Sequence, residues 1–295
     1  MNRRYFIACA GAGLIAACTT TRAASAFASR RISVTTRGRG PDVVLVHGLT
    51  SSRDIWNATV AEVPGYRYHL VQINGFAGTP ADGNAGEGPL LAPLAQEIAN
   101  YIREARLQRP ALIGHSMGGS LVMMVAARHP ELASKVMVVD MLPFMGILFG
   151  PPGTTAESLG PLAAQARDRI LAATEEARRA SIQATIATMV KSEPLRSGPV
   201  SHAIASDRAV AARGMHDLLV TDLRPELPRI GVPLKVLWVR APNSPLDEAQ
   251  LEAVYRSSFA AAPRAEITNI PDSYHFIMLD QPGRFAEQVR AFLAA

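Results

Sequence analysis

Cysteine is almost absent from this chain of 295 residues, since its only two, Cys9 and Cys18, stand close to the start. Because the remaining sequence has none, a disulfide framework, a cysteine-ligated metal and a cysteine nucleophile are excluded from the folded body. We expect neither a metal nor a cofactor in this body.

Charged residues are also sparse, at 19% of the chain against 48% hydrophobic ones. The formal net charge is +5, and Arg3, Arg4 and Arg22 contribute three of these positive charges. No basic run follows Arg30 and Arg31, so the sequence does not predict nucleic-acid binding. The length and apolar content favour one globular body with a full core, and nothing implies a protein partner.

Residues 1–28 have the organisation of an export signal. Arg3 and Arg4 form a basic start, and the apolar stretch 5–17 that follows is too short to span a bilayer, which needs about 20 residues. Ala-Phe-Ala at 26–28 fits a small-residue cleavage site. The sequence therefore predicts a signal peptide over 1–28 and a domain over 29–295.

Two short patterns inside this leader indicate different routes of export. Residues 3–7, Arg-Arg-Tyr-Phe-Ile, resemble a twin-arginine motif. Residues 15–18, Ile-Ala-Ala-Cys, resemble a bacterial lipobox, in which Cys18 would be lipidated and become the mature N-terminus. A lipid anchor at Cys18 and release after Ala28 both remain open, and either would put the domain in the periplasm or at the cell envelope.

Short apolar runs alternate with longer amphipathic ones along most of the body. This alternation is typical of βαβ units around a mostly parallel sheet flanked by helices, an α/β fold. Six strands are predicted, at 42–46, 69–73, 111–114, 135–140, 234–239 and 265–270, with an antiparallel edge strand at 31–36. Helices are predicted at 91–106, 117–128, 247–261 and 283–293.

Residues 143–215 interrupt the alternation. They contain four prolines near their start and helical runs such as 162–191, with no convincing strand pattern. We expect a helical insertion that forms a lid over one end of the sheet. The apolar residues 143–149 suit a pocket for an acyl or alcohol group, and they suit packing of the lid onto the body equally well.

Residues 114–118, Gly-His-Ser-Met-Gly, fit the pattern G-x-S-x-G between a predicted strand and a predicted helix. A sharp turn there exposes the serine hydroxyl, and glycine on both sides lets the backbone pack closely. The helix N-terminus that follows favours developing negative charge. Ser116 is therefore the predicted nucleophile, and we interpret His115 as a packing residue.

His275 is the predicted general base for this serine. It lies in a loop between the last predicted strand and the last predicted helix. A histidine late in the chain fits a triad in which the order along the chain is serine, acid and histidine. His69 and His129 stand at the ends of predicted elements and have ordinary structural roles. His202 and His216 lie in or near the insertion and could touch substrate.

The chain resembles the α/β-hydrolase superfamily over residues 40–295, through His47-Gly48, the run 114–119 and the late His275. The resemblance implies an oxyanion hole made by the backbone amides of Leu49 and Met117. One departure is residues 74–78, Asn-Gly-Phe-Ala-Gly, where the family often has an Asp-x-x-Gly-x-Gly loop.

The position of the triad acid departs from the usual pattern of the family. The family usually carries it a few residues after the next-to-last strand, but Asn243 stands in this loop, and Asp247 resembles the N-cap of the next helix. Some members of the fold place the acid at the end of the strand after the nucleophile, where Asp140 stands. Asp140 is the favoured acid and Asp247 stays open as an alternative, while Asp272 is too near His275 in one loop.

The resemblance implies hydrolysis of a carboxylic ester in a small-molecule substrate. A serine nucleophile argues against dehalogenases and epoxide hydrolases of this fold, which use aspartate. C–C bond hydrolysis, a lactonase or an amidase activity on the same triad remain alternatives. A non-catalytic binding protein that has lost its acid is a further one.

Overall fold

A computed structural model describes residues 27–151 and 153–295. The predicted leader, with Cys18, lies outside these residues except for Phe27 and Ala28. Within the two described ranges, no helix is both long and apolar enough to cross a bilayer.

In these two ranges, seven strands form one sheet in the order β1-β3-β2-β4-β5-β6-β7. All neighbouring strands are parallel except β1 and β3, which pair antiparallel at one edge. The strands are β1 Ile32–Gly38, β2 Asp42–Val46, β3 Arg67–Ile73, β4 Ala111–His115, β5 Lys135–Val139, β6 Leu234–Trp238 and β7 Ala265–Asn269. The predicted mostly parallel sheet with an antiparallel first strand is therefore confirmed.

The apolar strands are buried on both faces because their side chains alternate between two cores. On β2, Val44 and Val46 face one core, whereas Val43 and Leu45 face the other. Helices α2, α3 and α8 contribute to the first core, and α9 and α10 to the second. The hydrophobic runs of the sequence thus specify a sheet between two helical layers.

Ten α-helices lie in the described ranges. They are α1 Asn57–Glu62, α2 Leu91–Glu104, α3 Met117–Arg128, α4 Gly160–Ala172, α5 Glu175–Met189, α6 Ser197–Ala205, α7 Arg208–Val220, α8 Glu248–Ser258, α9 Ile277–Asp280 and α10 Pro282–Ala294. The four predicted outside the insertion correspond to α2, α3, α8 and α10 within three residues at each end.

Four of the helices, α4 to α7, lie between β5 and β6, in the segment predicted as a helical insertion. The helical run predicted over 162–191 is two helices, because Thr174 begins a new one. Its side chain accepts a hydrogen bond from the Ala177 amide, and Glu175 and Glu176 follow in the first turn. The last of the four helices continues to Val220, five residues beyond the predicted end of the insertion.

Candidate active site

The carboxyl ends of the parallel strands meet at one edge of the sheet, where a cavity of about 460 Å³ separates them from the inserted helices. This edge is where open α/β sheets bind ligands. The cavity is lined from the sheet side by Ser116, Asp140 and His275, which follow β4, β5 and β7. The structure therefore brings these three predicted residues to one place.

Ser116 occupies the turn between β4 and α3. Its φ of 55° and ψ of −125° fall outside the regions that non-glycine residues normally adopt. The Ser116 amide donates to the Val139 carbonyl at 2.9 Å, and its carbonyl accepts from the Gly119 amide at 2.7 Å. These bonds hold a strained residue at the cavity wall, immediately before the N-terminus of α3.

Two glycines make this turn sterically possible. A Cβ atom on Gly114 would lie 2.1 Å from the Gly118 carbonyl oxygen, and one on Gly118 would lie 2.2 Å from the Val46 carbonyl oxygen. Backbone atoms cannot yield as a flexible side chain can. The two small residues of the G-x-S-x-G pattern are therefore needed for strand, turn and helix to pack this closely.

The imidazole of His275 is bound to Asp140. Its Nδ1–H donates to the Asp140 Oδ2 at 2.6 Å, the short distance expected of a hydrogen bond to a carboxylate. Side-chain exposure is 20% for His275 and 12% for Asp140, so both are largely shielded from water. With Nδ1 engaged in this way, the His275 Nε2 is left to exchange a proton.

The second oxygen of Asp140 accepts two further hydrogen bonds. The Val239 amide donates to Oδ1 at 3.2 Å, and the Tyr255 hydroxyl donates to the same oxygen at 3.1 Å. Burial raises the pKa of the Tyr255 phenol well above its usual value, and the nearby Asp140 charge raises it further. Tyr255 therefore stays a protonated donor, and every acceptor oxygen of the carboxylate has a partner.

The other carboxylates considered for this position are engaged elsewhere. Asp247 begins α8 as its N-cap and forms a capping box with Gln250, in which each side chain accepts from the other residue's amide. Asp272 forms an ion pair with Lys191 at the surface. Asn243 is exposed in the loop after β6.

Ser116 and His275 share the cavity, but no hydrogen bond joins the serine hydroxyl to the imidazole in the described structure. His115, the residue before Ser116, lies beside His275, and Gly48 packs closely against both Ser116 and His115. A Cβ on Gly48 would lie 2.9 Å from the Ser116 Cβ and 3.2 Å from the His115 Nδ1, and the rings of His115 and His275 are 4.5 Å apart between centroids. Catalytic hydrogen bonds are often long without substrate and tighten when it binds.

The amides of Leu49 and Met117 belong to two segments in contact, the turn after β2 and the first turn of α3. Leu49 lines the cavity, and neither amide donates a hydrogen bond to another group of the described residues. His47 fixes the first turn, because its Nδ1–H donates to the Gly48 carbonyl and its Nε2 accepts from the Ile73 amide. Burial lowers the pKa of His47 to about 4, so this imidazole is neutral and structural.

His115 is buried beside Ser116 and contacts the loop that carries His275. Its Nε2–H donates to the His275 backbone carbonyl at 3.0 Å. Burial lowers the pKa of His115 far below its usual value, and the nearby His275 lowers it further. His115 therefore remains neutral, and its hydrogen bond helps to fix the loop that carries His275. This contact is compatible with a packing role for His115.

The rest of the cavity wall is mainly apolar and comes largely from the inserted helices. It includes Met145, Leu148, Ile170, Ile182, Ile186, Met189, Met215 and Leu218. His202 and His216, which the sequence left as possible substrate contacts, do not line this cavity. Among the described residues, no group of three or more His, Cys, Asp or Glu side chains could hold a metal ion.

Sequence reasoning missed two kinds of functional neighbour. Tyr255 was not singled out, although it follows Leu251 by four residues on the predicted helix, the spacing of a buried face. Arg169 and Arg178 also line the cavity, one from α4 and one from α5. No local pattern distinguishes these two from the other arginines of the insertion.

Comparison with known proteins agrees with this architecture. The chain is 24% identical over 258 residues to a pimeloyl-[acyl-carrier protein] methyl ester esterase of Vibrio vulnificus (strain YJ016), covering 87% of this chain and 96% of the relative. It is 27% identical over 281 residues to the protein of the same name in Aeromonas salmonicida (strain A449), covering 89% and 99%.

Solved structures share the fold at low sequence identity. An enol-lactonase from Burkholderia xenovorans LB400 superposes with a TM-score of 0.72 at 21% identity, covering 90% of this chain and 96% of that one. An esterase from Exiguobacterium antarcticum gives 0.71 at 21% identity with the same coverage. The model of the alpha/beta hydrolase family matches residues 43–288, most of the chain. The chain therefore belongs to the alpha/beta hydrolase family and is a hydrolase.

Proposed function

We propose that the chain is a serine hydrolase that cleaves a carboxylic ester of a small molecule through an acyl-enzyme on Ser116. The observation that carries this proposal is the 2.6 Å hydrogen bond from His275 to Asp140, in the cavity that also contains the Ser116 turn. A serine, a histidine and an orienting carboxylate around one cavity are the groups that nucleophilic acyl transfer requires.

In the first half-reaction, the Ser116 Oγ attacks the ester carbonyl carbon while its proton passes to the His275 Nε2. The resulting imidazolium is stabilised by the ionised Asp140, and the oxyanion accepts hydrogen bonds from the amides of Leu49 and Met117. His275 then gives the proton to the alcohol oxygen as the C–O bond breaks. The alcohol leaves, and the acyl group stays on Ser116.

In the second half-reaction, water takes the place of the alcohol. His275 removes one of its protons as the water oxygen attacks the acyl carbon, and the proton returns to the Ser116 Oγ when the acid is released. One water is consumed for each ester cleaved. All groups needed for both steps belong to this chain.

Two further observations support an ester as the bond that is cleaved. The relatives from Vibrio vulnificus and Aeromonas salmonicida are named as methyl ester esterases and align over nearly their whole length. The cavity, at about 460 Å³ and mainly apolar, is of the size that binds a small organic molecule. The lid role of residues 143–215 is part of this proposal, because the helices there supply most of the apolar wall.

The test combines an active-site label with turnover. We expect a fluorophosphonate probe to label the wild-type protein and not the Ser116→Ala variant, and we expect methyl and p-nitrophenyl esters to be hydrolysed by the wild type alone. Hydrolysis that survives in Ser116→Ala would overturn the assignment of the nucleophile. Absence of labelling and of turnover in both proteins would support a binding protein of the same fold.

Export is a further part of the proposal, and it is based on residues 1–28 alone. The basic start, the short apolar stretch and the small residues before position 29 support secretion to the periplasm. The Ile-Ala-Ala-Cys pattern at 15–18 supports a lipid anchor on Cys18 as the mature N-terminus.

A further inference from the structure

Two arginines stand on the part of the cavity wall that the inserted helices form. Arg169 lies three residues before the end of α4, and Arg178 lies three residues after the start of α5. Only residues 173 and 174 connect the two helices, and Ala173 lines the cavity with both arginines. The cavity therefore extends from the Ser116 turn to a pair of guanidinium groups around a short helix connection.

The guanidinium of Arg178 is held in a fixed position. Its Nη2 donates to the carbonyl oxygens of Ala203, Ile204 and Ser206 at 3.1, 2.9 and 2.9 Å, at the C-terminal end of α6. The side chain is only 12% exposed. All three bonds involve Nη2. On the other edge of the guanidinium, Nη1 makes a long contact of 3.4 Å with the Glu175 carboxylate. A cation fixed in this way needs no reordering to bind an anion.

The acids nearby do not balance the arginines of this region. Glu175 is shared by three of them, Arg178, Arg179 and Arg208, at 3.4, 3.0 and 3.2 Å. In the described part of the chain, no carboxylate lies within ion-pair distance of Arg169. This end of the cavity therefore carries an excess of positive charge.

The cavity wall itself has no acid available to these two arginines. Among the described residues, the only carboxylate that lines it is Asp140, whose oxygens accept hydrogen bonds from His275, Val239 and Tyr255. Most of the remaining wall is apolar, including Ile182, Met189, Met215 and Leu218, with the hydroxyls of Ser181 and Thr185 on α5. The cavity thus combines the reacting groups, a mainly apolar wall and two cationic side chains.

From this arrangement we infer that the substrate is an ester with a carboxylate at its far end, such as a half-ester of a straight-chain dicarboxylic acid. The ester carbonyl lies at Ser116, the hydrocarbon chain lies along the apolar wall, and the carboxylate binds Arg178, with Arg169 at the rim. The inference rests on the proposed function and adds the substrate class. Hydrolysis of one methyl half-ester consumes one water and yields the dicarboxylate, methanol and a proton.

Binding by arginine explains why a carboxylate is favoured over a neutral end. A fixed, largely shielded guanidinium can form charge-assisted hydrogen bonds that are about twice as strong as neutral ones. Arg169 is exposed, so its contribution is screened by water and salt and is smaller. We therefore expect Arg178 to dominate the discrimination, and raised ionic strength to weaken it.

The test compares half-esters with neutral esters of the same chain length. Monomethyl adipate, suberate and sebacate are measured against methyl hexanoate, octanoate and decanoate, with kcat and KM determined for each. We expect higher kcat/KM for the half-ester in at least the best-fitting pair. In Arg178→Gln, kcat/KM for the half-ester should fall about 10- to 100-fold, mainly because KM rises. This fold-change is the range expected for the loss of hydrogen bonds to a charged group.

Two other variants separate binding from structure and from net charge. Arg169→Gln should reduce kcat/KM for the half-esters about threefold, as expected of an exposed charge. Arg167→Gln removes the same charge from α4, but Arg167 pairs with the neighbouring Asp168 and does not line the cavity. It should leave both ester series unchanged. Neutral esters report structural damage in all three variants, including the loss of the hydrogen bonds from Arg178 to the end of α6, so each half-ester value is divided by the neutral-ester value of the same variant before comparison.

The inference is overturned if neutral esters are preferred at every length, or if Arg178→Gln affects both series equally. Either result would leave the esterase proposal intact. Should the wild type cleave no ester, calorimetric titration of the Ser116→Ala protein with monomethyl suberate decides the inference independently. Binding that is lost in Ser116→Ala/Arg178→Gln supports the anion site, and no binding in the presence of Arg178 contradicts it.

Discussion

His275 Nδ1 and Asp140 Oδ2 lie 2.6 Å apart, across the 135 residues that separate them in sequence. This contact exists because β5 and β7 are parallel strands separated by β6, so that the loops after them meet at one edge of the sheet. It favours the tautomer that leaves the His275 Nε2 free for a proton from Ser116.

The first prediction concerns the choice of acid. Asp140→Asn should reduce kcat about 10⁴-fold, because asparagine cannot stabilise the imidazolium or hold the required tautomer. Asp247→Asn is the matched control, since asparagine is as good an N-cap as aspartate and α8 should be undisturbed. Steady-state kinetics on one ester decides the matter, and equal, small losses in the two variants would show that neither residue is the acid.

The second prediction concerns Tyr255. Tyr255→Phe removes the hydroxyl that donates to the Asp140 Oδ1 but keeps the ring that stacks on Trp238, with centroids 5.3 Å apart. We expect kcat to fall about tenfold with little change in KM, as for the loss of one hydrogen bond to a charged group. An unchanged kcat in a folded variant would mean that the Val239 amide alone is enough to fix the carboxylate.

The third prediction concerns the turn that carries Ser116. Gly118→Ala places a Cβ 2.2 Å from the Val46 carbonyl oxygen, so it should destabilise the fold by about 3 kcal/mol or more and abolish activity. Gly283→Ala is the control, because nothing lies within 4 Å of its added Cβ on α10. Chemical denaturation should show that this second change is neutral or stabilising by up to about 1 kcal/mol. Equal stability of the two variants would contradict the close packing described here.

The fourth prediction concerns stability at low pH. Burial lowers the pKa of His47 from 6.5 to about 4. Between these two pH values, His47 is protonated in the unfolded chain and neutral in the folded protein. The contribution of His47 to the free energy of unfolding therefore decreases as the pH falls from 6.5 to about 4 and is constant below that. The total change for this group is about 3 kcal/mol. The difference in unfolding free energy between wild type and His47→Gln should shrink by this amount over that interval. Parallel curves would show that His47 is protonated without cost.

The fifth prediction concerns the mature N-terminus. The Phe27 ring packs edge-on against Tyr101, with centroids 5.0 Å apart, and cleavage after Ala28 would remove it. We expect the mature protein to begin at a lipidated Cys18 and to retain Phe27. Mass spectrometry of the protein from its native membrane fraction tests this, with Cys18→Ser expected in the soluble fraction. A mature chain that begins at Ser29 would contradict it.

The sequence predicted the sheet and the nucleophile because both depend on local pattern. Apolar runs such as 111–114 indicate buried strands wherever they occur, and the glycines around Ser116 report a backbone constraint that acts within five residues. The boundary between α4 and α5 also follows from a local pattern, an N-cap threonine at 174 followed by two glutamates, although a single helical run was predicted there.

The acid could not be decided from sequence, because the contact with His275 depends on strand order. Asp140 and Asp247 both follow predicted strands, and only the sheet determines which of them reaches the imidazole. Tyr255 and the two cavity arginines were missed for a related reason. Their partners come from distant segments, and a helix pattern does not say what its buried face will touch.

Acyl transfer through Ser116 is tested most directly by acid-quench trapping of the acyl-enzyme during turnover of a p-nitrophenyl ester, followed by peptide mass mapping. We expect a burst of p-nitrophenol and one acyl group on the peptide that contains Ser116, and neither of these in Ser116→Ala. An acyl group on another residue would contradict it, and so would steady turnover with no acylated peptide at any quench time.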